Sequence, residues 1–187
     1  MPGPGNVGLG DESRLEDRTR MTTPTTSREP HGARRDLARC GEVSICDLSG
    51  AEQFLVWAIR WRTSPQDDAE FAEECLTDSF SRAGMPEALP ALREFVCAAC
   101  PMQLDCPASR RLGCWRLNRL EAHALHAVAC LQAGLIGEAW LTLRAVCPEA
   151  SVPAALESLQ AIGESLGRSG GTVQRWAGSP ARTATRH

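Results

Sequence analysis

The chain has 187 residues, 43% of them hydrophobic, enough for one packed domain with tails. Its formal charge of −3, from 23 acidic and 20 basic residues, excludes a bulk electrostatic attraction to nucleic acid or anionic lipid. No apolar run approaches the ~20 residues that cross a bilayer, and Met1-Pro2-Gly3-Pro4-Gly5 lacks the basic-then-apolar order of a secretory leader.

The expected compartment is therefore the cytoplasm. All twenty basic residues are arginine and tyrosine is absent, which reads as genomic composition. Nine cysteines are an odd and high count. Reducing surroundings make structural disulfides unexpected, so each thiol is a small buried hydrophobe, a metal ligand or a redox group.

Residues 1–42 are rich in Gly, Pro, Ser, Thr and Arg without apolar periodicity, and are expected to be a disordered arm. Met21, ahead of Thr22-Thr23-Pro24, is an alternative start. Cys40 and Cys46 read as isolated thiols. A helical domain over 43–168 follows. Ser49 three residues before Glu52 is a capping-box pattern, and Phe54, Leu55, Trp57, Ala58, Ile59 and Trp61 then form a wide apolar stripe. That helix ends at Thr63-Ser64-Pro65.

A second helix is expected over about 67–82, acidic in its first turn (Asp67, Asp68, Glu70) where the helix dipole favours it. Gly84 suits the position after its end, and Pro86 opens a third helix over about 87–99 carrying Leu89, Leu92, Phe95 and Val96. The proline at 101 stops it near Cys100. Leu117, Leu120, Ala124, Val128 and Leu131 recur at helical spacing up to Gly134, and two more helices are predicted over about 136–146 and 152–167. Residues 169–187 read as a disordered tail. No segment alternates with period two. The fold class is all-α, about six helices in two groups of three joined by a cysteine-bearing loop.

That loop carries the chemistry. Cys97-x2-Cys100 lets one short turn present two thiolates to one tetrahedral ion or one cluster, and Cys106 can fold back over the same point. Cys114 is within reach as a fourth ligand. Cys75 is the other candidate: it lies nine residues before Gly84 and Cys97 thirteen after, so an antiparallel hairpin brings both within a few residues of one level. Arg110, Arg111, Arg116 and Arg119 flank the loop as counter-charge or as a solvated basic surface. Four thiolates suit an iron–sulfur cluster or zinc. Burial as small hydrophobes is the plain alternative, above all for Cys75, Cys130 and Cys147.

Cys75, then Cys97-x2-Cys100-Pro101-x4-Cys106, resembles the cluster segment of the WhiB-like iron–sulfur regulators. That resemblance implies a small helical cytosolic protein whose Cys75, Cys97, Cys100 and Cys106 hold a [4Fe–4S] cluster and which acts with a sigma factor in transcription. Gly113-Cys114-Trp115 stands where the family has its Gly-Val-Trp-Gly-Gly turn, with Arg116 and Leu117 replacing the two glycines. The resemblance covers about 45 residues. A broader one, carried by Leu48-Ser49-x-x-Glu52 through Trp57, Ala83-Gly84 and 117–134, is to small uncharacterised bacterial helical proteins and implies no activity.

His123, His126 and Cys130 fall at i, i+3 and i+7 of one predicted helix. His126 and Cys130 share a face that suits a metal or, equally, a core position. There is no phosphate loop, Ser–His–Asp order or H-E-x-x-H motif, so no enzyme is expected. The reading is a cytosolic, cysteine-rich regulatory protein, redox- or metal-responsive, whose partner is another protein rather than nucleic acid or a membrane. Its alternative is a metal-free helical interaction or structural domain.

Overall fold

A computed structural model describes residues 36–63, 69–100 and 114–176. Among them are six α-helices: α1 (Gly50–Thr63), α2 (Ala69–Arg82), α3 (Ala88–Ala99), α4 (Arg119–Gln132), α5 (Ile136–Leu143) and α6 (Val152–Arg168). The described residues contain no β-strand; an isolated antiparallel bridge joins Ser44 and Arg116. The all-α class stands. The arm over residues 1–35, Cys106, Arg110 and Arg111 lie outside the described residues.

α1 starts as its sequence dictates. Ser49 Oγ accepts from the Glu52 N–H at 3.3 Å, and Glu52 Oε2 accepts from the Ser49 N–H at 2.8 Å, the reciprocal pair of a capping box. The aromatic residues of its stripe form a row, with ring centroids 5.9 Å apart from Phe54 to Trp57 and again from Trp57 to Trp61. The row continues to Phe71 of α2 at 6.5 Å, while Phe80 meets Phe54 edge-on at 5.0 Å.

α4 is the central element. Every residue from Leu120 to Cys130 is buried, so the one-sided stripe expected from sequence is instead a helix enclosed on nearly all faces. The expected division into two groups of three is not what forms: α6 packs most extensively on α3, and α1 reaches both α3 and α4. The two halves interleave around α4 and share one core, in which Leu92, Phe95, Leu117, Leu125 and Leu159 have no exposed surface.

α5 ends three residues short of its predicted end. The bonds from Ala145 N to Thr142 O and Val146 N to Leu143 O tighten the chain ahead of Pro148. The chain turns at Gly84, Gly134 and Gly170 with φ of 71°, 73° and 81°, values that cost a side-chain-bearing residue about 1 kcal/mol or more.

Two boundaries differ from expectation. Residues 37–42 form a 3₁₀ turn with Leu37 buried, so order begins before residue 43. At the other end, residues 169–176 are not a loose tail. After Gly171, whose absent Cβ would lie 3.1 Å from that of Ala51, the chain forms a strap that buries Val173 and Trp176.

Candidate functional site

The cysteine segment is held at both ends. At its start, α3 closes with the Cys100 N–H on Val96 O at 2.8 Å, and Cys100 leaves the helix with φ −127° and ψ 67°. Cys97 sits on the last turn, exposed, with a free thiol. Cys100 is buried and disulfide-bonded. This differs from the expectation that no disulfide forms.

At its end, the segment is clamped by a group that the sequence reading did not single out. Arg60, on the inner face of α1, donates through Nε and Nη2 to the two Glu121 oxygens, both at 2.8 Å, with the side chains 2% and 0% exposed. The same guanidinium donates to the carbonyl oxygens of Cys114 and, at 2.8 Å, Arg116. Glu121 in turn caps α4, accepting from the Asn118 N–H at 2.9 Å while Asn118 Oδ1 accepts from Glu121 N. A fork of donors matched to a carboxylate and two carbonyls satisfies every group on this buried ion pair. Two signals were available: Asn118-x-x-Glu121 is a capping pattern, and Arg60 stands between Ile59 and Trp61 within an apolar stripe.

Cys114, half-buried, has its Sγ 3.7 Å from Arg116 O. Arg116 reaches back to Gly41 O at 3.1 Å, so this arginine ties the N-terminal turn in place instead of standing over the loop. Cys75 lies half-buried on α2. Glu73 and Arg93 form an ion pair between α2 and α3. Two sulfurs on one ion stand only ~4 Å apart. Cys75, Cys97 and Cys114 are not gathered at one point.

A different group is gathered. Among the described residues, His126, Cys130 and Glu138 bring one ligand-type atom each within 4.8 Å of one another. The first two share a face of α4, as their spacing predicts; Glu138 arrives on α5 after the Gly134 turn. His126 Nδ1 accepts from the Trp176 N–H at 3.0 Å, which leaves the ring proton on Nε2, 3.5 Å from Cys130 Sγ. Cys130 Sγ is 3.8 Å from Glu138 Oε2, and Arg175 Nη2 donates to that oxygen at 2.9 Å. With its Nε2 protonated, His126 cannot take the Cys130 proton, so the pair is not a nucleophile and its base.

Burial pushes the Cys130 thiol up to about 11, with the Glu138 charge adding to it, and burial alone does the same for Cys147. Both thiols stay protonated at neutral pH. Burial also pushes His126 below the ordinary histidine range, helped by Arg175 and opposed by Glu138. Burial likewise lowers His123, whose Nδ1 is 2.7 Å from Arg119 O.

A histidine whose folded pKa is depressed leaves the unfolded chain holding more protons as pH falls below the ordinary histidine value of 6.5. Stability from these two groups is present above pH ~6.5 and is lost as pH drops through their lower folded values, at about 1.4 kcal/mol per unit of separation. Urea midpoints are expected to decline on that acid side, and the decline to flatten in His123→Asn/His126→Asn.

Beside the clamp lies a cavity of about 440 Å³ lined mainly by Ile45, Phe54, Val56, Trp57 and Trp115, with Arg60 and Cys114 also contributing. Trp115 is 70% exposed. No described helix is long and apolar enough to cross a membrane. No family model matches the chain, and neither a curated protein nor a solved structure matches it.

Proposed function

We propose that the chain is a redox- or metal-responsive regulatory protein, not an enzyme, whose reactive element is the cysteine segment between α3 and α4. The observation that supports this is the exposed free thiol of Cys97 one helical turn from the disulfide-bonded Cys100. A dithiol reductant supplying two electrons and two protons opens that disulfide and is itself oxidised to a disulfide. In the reduced chain, Cys97, Cys100 and Cys106, with Cys114 as the fourth, form a set suited to an iron–sulfur cluster or zinc. Cys75 is the alternative fourth ligand. The Arg60 clamp fixes where the segment re-enters the core, so a change within it is felt at Trp115, the residue after Cys114, on a surface suited to a protein partner. A cytoplasmic location fits, since reducing surroundings reset the disulfide.

Metal and sulfide analysis of anaerobically purified full chain, with its near-ultraviolet and visible absorbance, tests this. The expected result is about one cluster or one zinc held by the cysteine segment of each chain, lost in Cys97→Ser and Cys100→Ser. A metal-free protein whose spectrum and oligomeric state do not respond to reductant would overturn it. The other reading is a metal-free helical interaction domain, favoured by Trp115 standing exposed beside an apolar cavity. It predicts that the same serine variants change nothing except, slightly, stability.

A further inference from the structure

The strap that covers His126, Cys130 and Glu138 is fastened in an unusual way. Three of its backbone N–H groups are taken by side chains: Val173 N by Gln132 Oε1 at 3.0 Å, Gln174 N by Glu52 Oε1 at 3.1 Å and Trp176 N by His126 Nδ1 at 3.0 Å. Its Arg175 holds Glu138 Oε2 at 2.9 Å. Two of the strap's fastenings are thus made to the same three residues whose ligand-type atoms converge within 4.8 Å.

A tetrahedral zinc-class ion holds nitrogen, sulfur and oxygen donors at about 2.0–2.3 Å, so its donors stand roughly 3.3–3.8 Å apart. The Nε2–Sγ distance of 3.5 Å and the Sγ–Oε2 distance of 3.8 Å already lie at that spacing. Two of the donors come from one rigid helix at i and i+4, and the mixed imidazole, thiolate and carboxylate set suits zinc or cobalt more than calcium or magnesium.

We propose that His126, Cys130 and Glu138 form a zinc-class metal site for which the ion and the C-terminal strap compete. While Trp176 N–H points at Nδ1, the ring proton occupies Nε2, the atom an ion needs. Binding moves that proton to Nδ1, where two N–H groups would face each other, so the end of the strap must lift. Cys130 gives up its thiol proton to solvent, one proton released per ion bound, and the Glu138 oxygen leaves Arg175 for the metal. Gln132 and Glu52 still hold the strap further back, so only its last residues are freed. The ion thereby controls exposure of Trp176, a side chain 4% exposed when docked.

The test uses the full chain with Cys97, Cys100, Cys106 and Cys114 replaced by serine, which removes the cysteine segment as a competing site, and Co²⁺ as the probe. One Co²⁺ per chain is expected, with tetrahedral visible bands and a thiolate charge-transfer band, displaced by Zn²⁺. Cys130→Ser and His126→Asn should weaken binding by about 100-fold or more, since loss of an outer-shell partner alone costs about 10–100-fold. Arg175→Gln, which releases only the strap's hold on Glu138, should tighten binding by about threefold, the worth of a partly exposed ion pair. Co²⁺ spectra that survive Cys130→Ser, or affinity that falls in Arg175→Gln, would overturn the proposal. Should the four-serine chain fail to fold, the natural chain gives the same answer: metal stoichiometry must fall by one ion in Cys130→Ser while metal bound through Cys97 remains. A cluster at Cys97 without metal at Cys130 would sink this site alone.

Discussion

Arg60→Ala is expected to cost about 3–5 kcal/mol of stability, the range for breaking a buried ion pair by removing one partner. The loss has three parts. Glu121, with no exposed surface, loses both guanidinium bonds; the carbonyls of Cys114 and Arg116 lose their donor; and a cavity opens under α1. A domain of this size is typically stable by about 5–15 kcal/mol, so the variant sits near the edge of folding. Urea unfolding measures it. Arg60→Ala/Glu121→Ala is expected to cost clearly less than the sum of the two single changes, because no lone charge is then left buried. Additive costs would show that the two side chains act separately. An Arg60→Ala loss below ~1 kcal/mol would show that the clamp does not hold the segment.

The helices were legible because their signals are local. The Ser49–Glu52 box, the glycines at 84 and 134, and the Leu120 to Leu131 spacing each depend on residues within a few positions of one another, and each did what its chemistry requires; Leu117, read with that helix, stands just before its Asn118 cap. Long-range pairings left no such trace. Arg60 and Glu121 are 61 residues apart, and nothing near either one announces the other. The strap was missed for the same reason. Its stretch looks like a polar tail, and only the assembled positions of Gln132, Glu52 and His126 give its N–H groups somewhere to go.

For the candidate sites the outcome divides similarly. The i, i+4 placement of His126 and Cys130 is helix geometry and could be read directly, whereas Glu138 and Arg175 joined them only through packing. A hairpin brings Cys75 and Cys97 near one level only to within a few residues, and among the described residues Cys75, Cys97 and Cys114 do not converge as a group. A separation of a few residues is invisible to residue counting and decisive for a metal.

Cysteine reactivity should differ across the chain by far more than any stability effect. Alkylation needs a thiolate and a path to it. Cys130 and Cys147, buried and raised to about 11, hold only ~0.1% thiolate at pH 8, Cys130 with no exposed surface and Cys147 with 8%. Cys97 is exposed on the last turn of α3. Its labelling is expected to outpace theirs by about 100-fold or more. Cys100 should be blocked until its disulfide is reduced, and the Arg60 clamp, which touches no sulfur, should not alter that order.

The most direct measurement is therefore mass-spectrometric mapping of alkylated cysteines in native, metal-stripped protein, with and without a dithiol reductant. A responsive cysteine segment predicts prompt labelling at Cys97 in both samples, labelling at Cys100 only after reduction, and none at Cys130 or Cys147 until urea unfolds the chain. Labelling of Cys100 without reductant, or a Cys97 as slow as Cys130, would contradict it.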